Sequence, residues 1–264
     1  MKEINIKSIE ELVKILNDLP NYYIFRGHSN ATWNLISTIE RLLINNWSTQ
    51  NVEKVEGFTL NEFKSKFHLY DKSNKIPDTK LEWLSLMQHY GVPTRLIDFS
   101  TSPCVALYFA MEDVDPNKNE DMAIFSIDYR NLIKTSIDYI KSKDKTFKYD
   151  YIETQFKQDE IFKDIIDRFS YEILWVTEPN KVNLRLDRQS GCFLLSVCID
   201  KTIQSLLSSK LYEHVDFIKI IIPINFYKNL FALLEKINLN SKVIYGDLSG
   251  LAKSIKMKNL VYNL

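Results

Sequence analysis

Apolar side chains along the chain recur at two periods, one typical of helices and one typical of strands. Residues 9–19 repeat apolar positions at helical spacing behind Ser8 and Glu11, a pair that predicts a capping box. Aromatic and β-branched residues at 22–25 predict a strand. Helices are predicted over 9–19, 81–90, 103–111, 225–237 and 248–255, mostly helical segments over 38–70 and 131–170, and strands over 22–25, 123–127, 173–176, 192–199 and 217–222.

These helices and strands are interspersed but do not alternate strictly. Their order indicates an α+β fold with a mixed or antiparallel central sheet flanked by helices, and it argues against a doubly wound parallel sheet. The Lys-rich run at 140–149 is the only segment typical of a linker or an insertion. We therefore expect residues 1–264 to form a single domain with a helical insertion at 131–170.

The composition is that of a globular protein with a large core, because 45% of the 264 residues are hydrophobic. The 34 basic and 34 acidic side chains balance, which argues against a broad nucleic-acid-binding surface and leaves a local basic groove open. Three cysteines without a CxxC pair favour a reducing, cytoplasmic location. We expect no membrane segment and no secretory signal, since the longest apolar stretch, at 217–224, is too short to cross a bilayer.

The first of three polar clusters is the sequence FRGHSN at residues 25–30, which ends a predicted strand. Arg26 there presents a planar guanidinium, and Gly27 after it allows a ligand to approach the backbone closely. Phosphate and carboxylate groups are the ligands that suit this geometry. The alternative is that Arg26 forms a structural ion pair.

The second cluster, at residues 88–103, places several polar side chains between two apolar helices. Arg95 and Asp98 are predicted to pair as a structural brace, because buried charges are nearly always paired. Ser102 is followed by a proline, so it is expected at least to cap the next helix.

The third cluster is RLDRQSGCF at residues 185–193. Gln189 in this cluster either binds a ligand hydroxyl or terminates the strand that follows, and spacing does not decide between the two. Elsewhere the sequence contains no G-x-S-x-G, HExxH, G-x-x-x-x-G-K-[ST] or G-x-G-x-x-G motif. No metal ligands at defensible spacing are present, so no metal is expected.

At these clusters the chain resembles the FRG domain family. The resemblance is carried by FRG at 25–27, HYGVPTRLIDFSTSPCVALYFA at 89–110, RLDRQSGCF at 185–193 and YGDLSGLAKSI at 245–255. The order of the motifs is also similar to that of ADP-ribosyltransferases of the R-S-E type. This resemblance implies an ADP-ribosyltransferase-like fold that uses NAD as its substrate.

Each site residue is assigned by this resemblance. Arg26 would hold the NAD phosphates or a ribose, and Gln189 would match the third motif of the transferases. The Ser-Thr-Ser motif corresponds to the three hydroxyl residues Ser100, Thr101 and Ser102. The remaining residues expected around the nucleotide are Gly27, His28, His89 and Arg95, of which the two histidines are alternative ribose ligands.

The third motif departs from the transferase pattern. Those enzymes place a catalytic Glu two residues after a Gln or Glu, and the corresponding residue here is Gly191. A neutral amide such as Gln189 does not supply the negative charge that stabilises a developing cation. The nearest replacements by motif proximity are Glu178 and Asp98, with Gln189 and Glu178 taken as the catalytic pair.

Three functions therefore remain open at the level of sequence. The first is an NAD-consuming ADP-ribosyltransferase or NAD glycohydrolase that acts through an oxocarbenium-like step, with an unidentified protein or nucleic acid as acceptor and a role in bacterial defence by analogy. The second is a non-catalytic module that binds a nucleotide or a protein and has lost the catalytic Glu. In the third, Arg26, Arg95 and Asp98 only brace the core.

Overall fold

The computed structural model describes residues 1–43, 45, 48–71, 75–115, 118–198 and 201–262. Its strands are β1 Lys2–Asn5, β2 Tyr23–His28, β3 Ile97–Ser100, β4 Met122–Asp128, β5 Leu174–Thr177, β6 Gly191–Ser196 and β7 Phe217–Ile222. They form one sheet in the order β1-β7-β4-β2-β3-β6-β5. In the described part of this sheet, β1 pairs parallel with β7 and every other pair is antiparallel. The fold is mixed α/β with a mixed central sheet, so the prediction of that class is confirmed.

Helices cover both faces of the sheet. They are α1 Ile9–Asp18, α2 Thr38–Leu42, α3 Thr49–Tyr70, α4 Lys80–His89, α5 Pro103–Glu112, α6 Tyr129–Lys143, α7 Tyr151–Phe156, α8 Gln158–Asp164, α9 Leu184–Arg188, α10 Ile203–Leu207, α11 Tyr227–Lys236, α12 Ser241–Tyr245 and α13 Leu248–Tyr262. Short 3-10 turns lie at Ile166–Arg168, Lys210–Tyr212 and Ile224–Phe226.

The sheet divides the hydrophobic core into two layers because successive strand residues point to opposite faces. On one face Ile24 and Phe125 pack in a cluster that includes buried residues of α4, α6 and α8. On the other face Phe25 and Ile124 pack against α1, α5, α11 and α13. Because side chains alternate along β2, Arg26 points to the same face as Ile24. Its guanidinium therefore lies on the side of the sheet that α4 covers.

Gly27 is required by the packing of helix α5 on strand β2. A Cβ atom at this position would lie 2.0 Å from the carbonyl oxygen of Ala106 and 2.3 Å from the backbone nitrogen of Ala110. The glycine therefore admits a helix backbone on the α5 side of the strand. The sequence analysis explained the glycine of the FRG motif by the close approach of a ligand. The structure adds a second reason, which is the packing of α5 on β2.

Most of the predicted elements are present, with ends that differ by a few residues, except that the last helix was predicted to end at 255 and ends at Tyr262. Ser102 caps α5, whose first residue is Pro103, as predicted. Residues 131–170 form most of α6 together with α7 and α8, and α6 buries Ile133 and Ile137 in the core. The strand predicted over 192–199 is β6 and ends at Ser196, while residue 199 lies outside the described residues.

Two strands were not predicted. β1 has the sequence KEIN, whose side chains are exposed or half-buried, because it pairs only at the edge of the sheet with β7. β3 lies inside the second polar cluster, and its Asp98 is exposed while its neighbours are buried. A short strand with few apolar residues leaves no clear period of two in the sequence.

Candidate functional site

A cavity of about 680 Å³ lies where strands β2 and β3 meet the C-terminal end of α4 and the short helix α9. Residues from all three polar clusters line it, among them Arg26, His28, Asp98, Ser100 and Gln189. Ligand pockets in proteins typically have volumes of about 300–1,000 Å³. The sequence clusters thus converge on one cavity of a size that admits a small organic ligand.

Arg26 is held at the wall of this cavity by two hydrogen bonds. Its Nε donates to Nε2 of His28 at 3.0 Å, and its Nη1 donates to the backbone oxygen of Asp98 at 2.6 Å. The Asp98 carboxylate is 3.8 Å from the same Nη1. Burial lowers the pKa of Arg26, the negative charge of Asp98 raises it, and the positive charge of Arg41 lowers it further. The guanidinium nevertheless stays protonated, because the pKa of a free arginine lies above about 12. The guanidinium is a fixed cation with donors left for a ligand.

His28 is neutral in the folded protein. Burial and the adjacent Arg26 lower its pKa to about 3. Because its Nε2 accepts from Arg26, the proton of the neutral ring is assigned to Nδ1. That Nδ1 is buried, and a hydrogen bond between His28 and the backbone of Trp33 opposes part of the fall in pKa.

Trp33, three residues after the end of the first cluster, lines the cavity. The side chain of Asn30 accepts from the backbone nitrogen of Thr32 at 2.8 Å and from its Oγ1 at 2.6 Å, which forms an Asx turn. Trp33 follows this turn, and its ring lies 6.2 Å from that of His28. It is 54% exposed, so a large aromatic surface remains open at the cavity.

The Ser-Thr-Ser stretch joins the end of β3 to the α9–β6 turn. Ser100 Oγ donates to the backbone oxygen of Gln189 at 2.7 Å and accepts from the backbone nitrogen of Ser102 at 2.9 Å. The backbone nitrogen of Thr101 donates to the oxygen of Ser190, while Ser102 caps α5. Of the three, only Ser100 lines the cavity. Their hydroxyl groups serve mainly to fix the backbone around the site.

Gln189 ends α9 and lies at the cavity. Its Nε2 is buried without a hydrogen-bond partner in the described structure. Ser190 after it adopts a φ of 45°, and Gly191 packs against Leu186 so closely that a Cβ would lie 2.4 Å from Cδ1. A side chain at 191 would require the flexible end of Leu186 to move, so this contact alone does not explain the missing Glu.

The late motif at residues 245–255 packs against the third cluster. Arg185 stacks over the ring of Tyr245 at 4.5 Å, and the hydroxyl of Tyr245 donates to the buried Glu112 at 2.7 Å. Gly246, with a φ of 72°, leaves the space that the guanidinium of Arg188 fills. The two motifs therefore share one interface, which holds Arg185 at the cavity.

Arg95 lies outside the cavity lining, and its predicted pairing with Asp98 is wrong. It is 5% exposed and forms ion pairs with Glu56 at 3.1 Å and Asp167 at 2.6 Å. Its guanidinium also contacts the rings of Phe162 and Phe169. Its partners come from α3 and from the region after α8, which sequence spacing does not bring together. Arg95 is a brace, as one reading expected, with different partners.

The two carboxylates considered for catalysis lie in different places. Asp98 lines the cavity, where its Oδ2 accepts from Nε2 of Gln88 at 2.8 Å. Glu178 follows strand β5, and it is not among the cavity-lining residues. Partial burial raises the pKa of Glu178.

Trp33 and Arg41 are cavity residues outside the three sequence clusters, and Arg185 belongs to the third cluster but was given no role there. In the part of the chain that the structure describes, the side chains of Arg41 and Arg185 have no hydrogen bond or ion pair. His89 also lines the cavity, and its Nδ1 is buried without a described partner. Burial and the nearby Arg185 lower its pKa. Unpaired cations and buried unsatisfied nitrogens on one cavity fit an anionic, hydrogen-bonding ligand.

Within the described residues, no cluster of three or more His, Cys, Asp or Glu side chains is placed to hold a metal ion. None of the described helices combines the length and apolar character that a membrane crossing requires.

Comparison with known families identifies part of this architecture. Residues 21–119 match the sequence model of the FRG domain family, so the chain carries an FRG domain over this range. The match includes strands β2 and β3 and helix α5, while the motifs at 185–193 and 245–255 lie beyond it. Neither the curated proteins nor the solved structures gave a significant match.

Proposed function

We propose that the cavity binds NAD or a related nucleotide, and that the protein is an NAD-consuming ADP-ribosyltransferase or NAD glycohydrolase. The observation that carries this proposal is the convergence of Arg26, Ser100 and Gln189, from distant parts of the sequence, on one cavity of about 680 Å³. Such convergence is what the R-S-E motif order requires.

Arg26 and Arg185 would bind the pyrophosphate in this account. Both line the cavity, and guanidinium groups form charge-assisted hydrogen bonds with phosphate oxygens. The unpartnered Nε2 of Gln189 is available to a ribose hydroxyl. His89 carries a buried ring nitrogen without a described partner, and His28 lines the same cavity, so both are neutral groups available to the sugar.

The reaction requires a negative charge near the ribose, because breaking the bond to nicotinamide develops positive charge on the sugar. Asp98 takes this role in our proposal, since it lines the cavity and Glu178 does not. Its hydrogen bond from Gln88 fixes the carboxylate. Arg26, 3.8 Å away, offsets part of the charge of this carboxylate, so we expect slow turnover.

The test is to incubate the protein with NAD and measure released nicotinamide, with and without protein and nucleic-acid acceptors. Arg26→Ala should lose most activity, because an uncompensated phosphate contact is worth up to about 3 kcal/mol. Asp98→Asn should keep binding and lose turnover. Arg130→Ala is the control, since this arginine is exposed and stacks over Tyr22 outside the cavity. Absence of both turnover and calorimetric binding at millimolar NAD would end the proposal.

A second function is favoured by a specific observation, the glycine at 191 where the transferases have a catalytic Glu. In this alternative the cavity binds a nucleotide, or the domain binds a protein, without chemistry. Saturable NAD binding without nicotinamide release, in the presence of every acceptor tested, would establish it. Arg26→Ala would then lower affinity alone.

A further inference from the structure

Three arginines and three carboxylates line the cavity, and the carboxylates are Asp98, Glu112 and Asp113. Arg26, Arg41 and Arg185 all line it. The carboxylate of Glu112 faces the same cavity but is occupied by the hydroxyls of Tyr108 and Tyr245, each at 2.7 Å. Asp98 lies 3.8 Å from Arg26, and Arg185 stacks over Tyr245. Among the described residues Arg41 has neither an ion pair nor a ring contact, so it is the cation available to an anionic group of the ligand beyond the pyrophosphate.

The unpaired arginines stand at opposite ends of strand β3. Helix α2, which carries Arg41, is fixed near the start of that strand, where the nitrogen of Ile39 donates to the oxygen of Thr94. Helix α9, which carries Arg185, is fixed at its end, where Ser100 bonds the oxygen of Gln189. The four residues of β3 span about 10 Å. One pyrophosphate is too short to neutralise both ends.

Local hydrogen bonds hold the wall around Arg41 in place. Ser37 and Glu40 form a capping box at the start of α2, and both side chains are buried. The second carboxylate oxygen of Glu40 accepts from the backbone nitrogen of Ile203 at 3.1 Å. Trp33, on its Asx turn, lies in the same wall. A half-exposed indole ring is a stacking surface for a purine.

From this arrangement we infer that the cavity is selective for a dinucleotide phosphorylated on its adenosine ribose, with adenine on Trp33, the 2′-phosphate at Arg41, and the pyrophosphate between Arg26 and Arg185. This inference rests on the proposed function, because it names the substrate class of the same cavity. It assigns discrimination between NADP and NAD to Arg41, a residue outside all the sequence motifs.

The experiment is calorimetric titration of the full chain with NADP and with NAD at one fixed salt concentration. The wild type should bind NADP at least about tenfold more tightly, the effect of one charge-assisted phosphate contact. Arg41→Gln should abolish this difference and leave the affinity for NAD unchanged. Arg185→Gln should weaken the binding of both dinucleotides by similar factors. The control Arg130→Gln should leave both affinities unchanged.

A second readout follows Trp33 itself. Dinucleotide binding should quench the intrinsic fluorescence, and Trp33→Phe should remove most of this quenching while it retains the preference for NADP. Equal affinities for the two dinucleotides, or a preference that survives Arg41→Gln, would overturn the inference and leave the proposed function standing. If neither dinucleotide binds, both fall.

Discussion

Replacing Gly27 by alanine tests how the FRG motif is packed. The added Cβ would lie 2.0 Å from the carbonyl oxygen of Ala106 and 2.3 Å from the nitrogen of Ala110. Ordinary contacts between such atoms are about 3.5 Å, so β2 and α5 would have to separate by more than 1 Å. Both contacts are with backbone, so no side-chain rotation relieves them. Overpacking of this kind costs about 1–3 kcal/mol, and we expect Gly27→Ala to lie at the upper end.

Urea denaturation monitored by circular dichroism measures this effect. Gly57→Ala is the matched control, because Gly57 lies in the middle of α3 and a Cβ there would meet nothing within 4 Å. That substitution should stabilise the protein by up to about 1 kcal/mol, since alanine has the higher helix propensity. The two identical substitutions should therefore change stability in opposite directions. A Gly27→Ala protein as stable as the wild type would refute the packing of α5 on β2.

Three further outcomes follow from the structure. Arg95→Met should lower the free energy of unfolding by about 1–3 kcal/mol in urea, because the buried Glu56 keeps only its ion pair with Lys80, and should leave nucleotide affinity unchanged. The pKa of His28 falls from 6.5 to about 3 on folding, so only the unfolded chain binds this proton between those values. Stability should drop by up to about 1.4 kcal/mol per unit as the pH falls through this window, and His28→Gln should flatten a pH series of urea melts. Ser190→Gly should raise stability by about 0.5–1 kcal/mol in thermal melts, because it relieves a left-handed backbone.

Much of the fold was accessible from the sequence because its elements bury one regular face. The strand at 217–222 and the Ser-Pro start of α5 follow directly from apolar runs and capping chemistry. Arg26 was found because it stands beside Gly27 at the end of a strand, and Gln189 because the family resemblance places it in the third motif. A polar residue at the end of a predicted strand was therefore the sequence signal that identified residues of the cavity.

The rest depends on contacts between distant segments. Arg41 lies in a helix of five residues, and Arg185 in another, so neither has an amphipathic period that places it at a cavity. Asp98 pairs across 72 residues with Arg26, while the nearer Arg95 finds its partners in α3 and at Asp167. Sequence separation is a poor guide to ion pairs, because tertiary packing decides which charges meet.

The most direct measurement of the central claim is a crystal structure of the protein grown with millimolar NAD or NADP. We predict ligand density inside the cavity, with phosphate oxygens within hydrogen-bond distance of the Arg26 guanidinium and a ribose hydroxyl on Gln189. An empty cavity at a ligand concentration that saturates binding in solution, or density at another surface, would contradict the assignment.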